Sequence, residues 1–112
     1  MPQYMLVYRA DAKAEEAMAE ATPEQMQAGM AAWMAWHDKV GADNLEFGLP
    51  LQPRVHVDQD GIASESTSDL SGYSILTADS VDHAAALVAD HPHLKWRGGT
   101  IEILELLPMP GM

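Results

Sequence analysis

Gly72-Tyr73-Ser74-Ile75-Leu76, a helix opening near Ser80, the corner His91-Pro92-His93, and Gly98-Gly99-Thr100-Ile101-Glu102-Ile103 together decide the fold. The order is strand, helix, histidine-bearing corner, strand. Asp79 or Ser80 can cap the helix, which carries Val81, Ala84, Ala85, Leu87 and Val88,. Pro92 ends it. The last strand is expected over 101–107. The corner also holds Lys95 and Arg97, two of the six Lys and Arg residues of a chain with formal net charge −11. A basic corner on so acidic a protein is a candidate seat for a small anionic ligand; the bland and preferred alternative is a solvated loop whose charges offset nearby Asp and Glu.

Outward from that segment, the first half repeats the pattern. Tyr4-Met-Leu-Val-Tyr8 is a continuous apolar run, which predicts a strand covered on both faces,. Residues 10–21 are rich in Ala and Glu without an apolar stripe and read as a loop or short helix. Thr22-Pro23-Glu24-Gln25 is a helix start: Thr22 caps, Pro23 suits the first turn and Gln25 completes a capping box,. The stripe Met26, Met30, Trp33, His37, Val40 predicts one helix over about 23–40 with that face buried, and Gly41 stops it,. Short extended pieces follow over 45–47 and 54–57. Asp58-Gln59-Asp60-Gly61 is a turn with a brief return strand after it, and the polar run 63–71 reads as a surface loop,.

The expected architecture is a single α+β domain, ferredoxin-like β-α-β-β-α-β, with a hairpin elaboration between the halves. Two helices would cover one sheet face. The apolar character of the first strand on both faces calls for a second cover, and a second copy of the chain is the simplest one. The expected assembly is therefore a homodimer of the dimeric α+β barrel type.

Composition narrows the function. A length of 112 residues fits one domain,. The excess of acidic residues argues against nucleic acid and against an anionic membrane surface. With no cysteine there is no disulfide framework, thiolate nucleophile or Cys-zinc site,. No basic leader opens the chain and no apolar run approaches a membrane helix, so a cytoplasmic location is the expectation. No phosphate loop, dinucleotide fingerprint or nucleophile elbow is present, and no cofactor is expected.

The candidate site residues come from position and chemistry. His37 lies on the helix stripe and could act as a general base near neutral pH; a half-buried core histidine is the bland alternative. Asp69 is a candidate carboxylate partner for it, although loop aspartates usually cap turns. Trp33 and Trp36 could wall a pocket for an aromatic ligand, or serve as core and interface contacts. Tyr8 and Tyr73 could each donate a phenol to a cleft. His93 and Arg97 are the candidate anion contacts of the corner. His91, His93 and Asp90 form a weak metal constellation, against the simpler reading of histidines placed favourably at a helix C-terminus.

Several of these segments resemble one family. Tyr-Met-Leu-Val-Tyr near the start, Trp33-x-x-Trp36, Phe47-Gly48-Leu49-Pro50-Leu51, Gly72-Tyr73-Ser74-Ile75, His91-Pro92 and Thr100-Ile101-Glu102-Ile103 are similar to the YCII-related (DGPF-domain) family. The resemblance implies a small dimeric α+β barrel. It also implies a cofactor-independent activity on a small anionic or aromatic metabolite, of lyase, isomerase or dehalogenase type, or else a non-catalytic binding module. Counted back without gaps from Tyr73, the family's Asp-Gly-Pro-Phe signature falls on Asp60, Gly61, Ile62 and Ala63, with Glu65 and Gly72 also matching. The Pro-Phe pair and the signature's Lys are missing. The alternative alignment deletes the signature and makes Asp60-Gly61 a hairpin turn, which Val55-His56-Val57 leading straight into it favours. One family branch uses a helix histidine and an aspartate as an acid/base pair. Its histidine lies further before the helix-ending glycine than His37 lies before Gly41.

Overall fold

A computed structural model describes residues 1–11, 16, 19–95 and 98–110. The elements are β1 (Gln3–Arg9), α1 (Pro23–Val40), β2 (Leu45–Glu46), β3 (Val55–Val57), β4 (Ala63–Glu65), β5 (Leu70–Thr77), α2 (Val81–Val88) and β6 (Thr100–Glu105). The expectation for residues 10–21 falls largely outside the described residues. The four main strands form one antiparallel sheet in the order β2-β5-β1-β6, and β3 pairs with β4 in a separate hairpin.

Strand parity divides the sheet into two faces. Tyr4, Leu6 and Tyr8 of β1 stand opposite Leu76, Ser74 and Gly72 of β5. On the other side of β1, Leu6 and Tyr8 stand opposite Ile103 and Ile101 of β6. Trp36 and Val40 of α1 and Ala84 and Val88 of α2 pack on this face in one core cluster. The opposite face carries Met5, Val7, Tyr73, Ile75 and Leu104. There Val7 is buried, Met5 and Ile75 are half-buried and Leu104 is exposed. β1 is thus apolar toward both sides, as its sequence predicts.

The capping box is formed. The Gln25 N–H donates to Thr22 Oγ1 at 3.1 Å, and the Thr22 N–H donates to Gln25 Oε1 at 2.9 Å. Two orphan amides of the first turn are thereby satisfied. Thr22→Ala is expected to cost about 1 kcal/mol, read as a lower urea midpoint at unchanged slope. At the other end the Gly41 N–H closes the helix on the His37 carbonyl at 2.9 Å. Ser80, rather than Asp79, caps α2, accepting from the His83 N–H at 3.1 Å.

Two expectations are corrected. Of the expected stripe of α1 only Val40 is buried; Trp33 and His37 are half-buried and Met26 and Met30 are exposed, while Trp36, which the stripe did not include, is core. The helix reaches past the elements that cover its C-terminal half. The run 63–71 is also not one loop. Ala63–Glu65 is β4, and β5 starts already at Leu70. Val55 and Val57 alternate with His56 in β3, yet all six strand residues of the hairpin are exposed. Its turn is built by Asp58, whose Oδ1 accepts the N–H groups of Asp60 and Ile62, each at 2.9 Å.

Candidate functional site: an aromatic and imidazole cluster under the first helix

Gly48 sets the turn that leads into the cluster. The chain leaves β2 and runs back along β5, where the Tyr73 N–H donates to the Leu49 carbonyl at 3.3 Å and the Leu51 N–H to the Ser71 carbonyl at 3.0 Å. A Cβ at Gly48 would lie 1.8 Å from the Tyr73 carbonyl oxygen, and its φ is +76°. Only glycine fits this turn. It brings the Phe47 carbonyl to Ser74 and the Phe47 ring to α1.

From there a polar chain runs inward. Tyr8 donates its hydroxyl to Ser74 Oγ at 2.7 Å, and Ser74 donates to the Phe47 carbonyl at 2.6 Å. Burial pushes the Tyr8 phenol up to about 12, against the opposing pull of the Ser74 hydrogen bond. Tyr8 is therefore a neutral hydrogen-bonding group throughout the physiological range.

Aromatic rings surround this chain. Trp33 meets Tyr8 edge to face at 5.1 Å between centroids and lies 5.7 Å from Phe47. The His37 ring stacks on Phe47 at 5.3 Å. Its Nδ1 is buried without a hydrogen-bond partner, and the nearest carboxylate oxygen, on adjacent Asp38, is 3.6 Å away. That separation is too long for a hydrogen bond.

His91 is the most deeply placed polar ring, with 0% of its surface exposed. It lies 4.2 Å from Trp36, 4.5 Å from Trp33 and 5.0 Å from Tyr8, centroid to centroid. Its Nδ1 accepts the His93 N–H at 2.9 Å. That bond fixes the neutral ring with its proton on Nε2. Nε2 has no partner. Desolvation, with a smaller push from His93 and against Asp90, pulls His91 down to about 4. At neutral pH it is an uncharged imidazole presenting an unused N–H.

The other expected residues divide. Trp36 is core: its Nε1–H donates to the Leu87 carbonyl at 2.9 Å. His93 is buried with Nε2 2.8 Å from the Arg9 carbonyl, and burial lowers its pKa against the pull of the Arg9 and Thr100 backbone. Tyr73 stands on the opposite sheet face from Tyr8, beside Val7. Asp69 is engaged by Arg9, whose Nη1 donates to it at 2.6 Å while Nη2 reaches Glu102 at 3.3 Å. Arg97 lies outside the described residues. The structure therefore brings together Tyr8, Trp33, Trp36, His37 and His93, and places Asp69 and Tyr73 elsewhere. Ser74 was missed in the sequence; its signal is a polar side chain at an inward position of an apolar strand. His91 is central here through its burial. Among the described residues no group of three His, Cys, Asp or Glu is placed to hold a metal.

Two open clefts, of about 420 and 480 Å³, are lined mainly by residues 64–69 and share no residue with this cluster. Their lining is mainly Ser, Thr, Asp and Glu. No helix of the described residues is long and apolar enough to cross a membrane.

No family model matches this chain. No curated protein matches it either. The functional reading therefore rests on the residues of the cluster.

Proposed function

We propose that this chain is a YCII-related small-molecule enzyme that performs acid–base chemistry without an organic cofactor, at the cluster between α1 and the sheet. The single observation that carries the reading is a pair of histidines in one aromatic cluster, each with a buried ring nitrogen left unpartnered: His37 Nδ1 and His91 Nε2. Buried polar atoms are normally satisfied, so an open nitrogen on each of these histidines is a group free to meet a ligand. In this reading His91, neutral with its proton on Nε2, donates to a substrate oxygen. His37 takes or returns the proton. Trp33, Phe47 and Tyr8 supply the wall for a small aromatic substrate.

The sheet order β2-β5-β1-β6, with both helices packed on one face, supports the ferredoxin-like arrangement. The partly covered apolar face of Met5, Ile75 and Leu104 supports a homodimer closed across the sheet. A cytoplasmic location belongs to the same reading.

The test is a panel of small aromatic carboxylates, phenols and chlorinated analogues, followed by imidazole resonances in NMR and by turnover. A substrate should shift both the His37 and His91 rings. His37→Ala should then lower kcat about 100-fold or more with KM little changed. Unchanged turnover in His37→Ala removes the catalytic assignment. The close packing of Trp33, Tyr8 and His91 favours one rival, a non-catalytic binding module. That rival predicts ring shifts on binding with no turnover at all.

A further inference from the structure

Most hydrogen-bond donors of the aromatic and imidazole cluster are already spent. The Tyr8 hydroxyl goes to Ser74 at 2.7 Å, the Ser74 hydroxyl to the Phe47 carbonyl at 2.6 Å, and the Trp36 indole N–H to the Leu87 carbonyl at 2.9 Å. His93 sets a ring nitrogen against the Arg9 carbonyl at 2.8 Å. His91 is the exception. The His93 N–H on its Nδ1 fixes the proton on Nε2, and Nε2 has no partner. The Trp33 ring stands at 86° to it with centroids 4.5 Å apart, but a ring face is a weak acceptor and does not discharge this donor. His37 Nδ1, also open, is the proton acceptor in the reading above.

The charges beside the cluster are turned elsewhere. Arg9, whose carbonyl meets His93, directs its guanidinium to Asp69 and Glu102. Lys39 pairs with Asp90, the neighbour of His91. Lys95 is exposed. Burial holds both Tyr8 and His91 in their uncharged forms. The Asp38 carboxylate, 3.6 Å from His37 Nδ1, would repel a second anion,. A carboxylate or phenolate brought here would lose its water and gain the N–H of His91, with most of its lone pairs unmet. A carbonyl oxygen carries no net charge and is satisfied by one such bond.

We propose that the substrate of this cluster is an uncharged aromatic carbonyl compound, an aryl ketone, aldehyde or ester, seated with its oxygen on the His91 Nε2–H and its ring against Trp33 and Phe47. The inference rests on the acid–base reading given above and narrows its substrate class; aromatic acids are the class it excludes. Entry is from the rim. Trp33, His37 and Phe47 are half-buried, while Tyr8, Ser74 and His91 are buried. Trp33 touches both Phe47 and His91, so it is the ring beside which a ligand ring reaches Nε2.

Acetophenone and benzoate test this, because they share a ring and nearly a shape and differ in charge. The imidazole nitrogens are isotope-labelled and followed by NMR at about pH 7.5, above the unperturbed imidazole value. Acetophenone should move the His91 Nε2 resonance while the ring stays neutral, and should bind roughly tenfold or more tighter than benzoate. Benzoate binding as tightly at these rings overturns the inference and leaves the acid–base reading intact. Acetophenone that moves His37 and not His91 overturns the seat on Nε2. If neither ligand moves either ring the inference fails, and the wider panel above then decides the reading beneath it. His91→Phe keeps a ring in place and removes the N–H, so it should erase the preference for acetophenone. A preference retained in the folded variant, as judged by circular dichroism, overturns the inference; where the variant does not fold, the titration of the parent chain decides.

Discussion

Gly48→Ala is expected to destabilise the protein by about 4 kcal/mol, at the upper end of single substitutions. The left-handed backbone alone costs a non-glycine residue about 1–2 kcal/mol. The larger part comes from contact: the new methyl carbon would sit 1.8 Å from the Tyr73 carbonyl oxygen, so the turn must leave β5. Withdrawal breaks the Tyr73 N–H bond to the Leu49 carbonyl and the Ser74 bond to the Phe47 carbonyl. It also draws the Phe47 ring away from Trp33 and His37. Gly61→Ala is the internal control. Its φ is +82°, with nothing within 4 Å of the new atom, so only the backbone cost of about 1–2 kcal/mol remains. Urea denaturation of the two variants should separate them by 2 kcal/mol or more, by roughly this arithmetic. Equal midpoints would show that the turn can move without loss.

The second large effect is a dependence on acid. His91 has its folded pKa depressed to about 4 from the usual 6.5. The unfolded chain therefore binds a proton between those values that the folded chain refuses. Stability is complete above about pH 6.5 and declines as pH falls toward 4. Between pH 8 and pH 5 the loss is about 2 kcal/mol from this residue alone. His93 is shifted in the same direction by its own burial and adds to the decline. The exposed Arg9–Asp69 pair contributes little over this range,. Chemical denaturation at closely spaced pH values, for the parent chain and for His91→Gln, checks the assignment. The parent should show the decline and the variant most of its absence. A parent chain equally stable at pH 5 and pH 8 would mean that the imidazole accepts its proton where it sits.

What the sequence discloses depends on how local the cause is. The capping box of Thr22 and Gln25 is decided within four residues, and it is present as read. The double-sided apolar character of β1 is likewise written in five consecutive residues. The exposed half of α1 was not legible, because a periodic stripe shows which side of a helix is apolar and not how far its cover extends. The return strand after the Asp58–Gly61 turn was expected, but its bounds were not: Ala63–Glu65 was read into the polar loop, because with both strands in water nothing marks where the strand lies. Tyr73 was placeable by counting, since two steps separate it from Ile75 and one from Ser74, which sets it on the far face from Tyr8. The position of His91 could not be counted. Its bond to the His93 amide is local. The cage that buries it comes from Trp33 and Trp36, more than fifty residues earlier, and from Tyr8 at the other end of the chain.

The β3–β4 hairpin stands apart from these dependencies. Its strand residues are all exposed, and the Ser66 N–H donates to the Arg54 carbonyl at 3.1 Å, which draws its two ends together at the base. A segment whose ends already touch can be lengthened at little entropic cost, because closure grows only with the logarithm of loop length. The hairpin is thus a graft point. The fold can exchange what it carries there, and so change what it meets outside, without renegotiating the core that holds Tyr8 and His91.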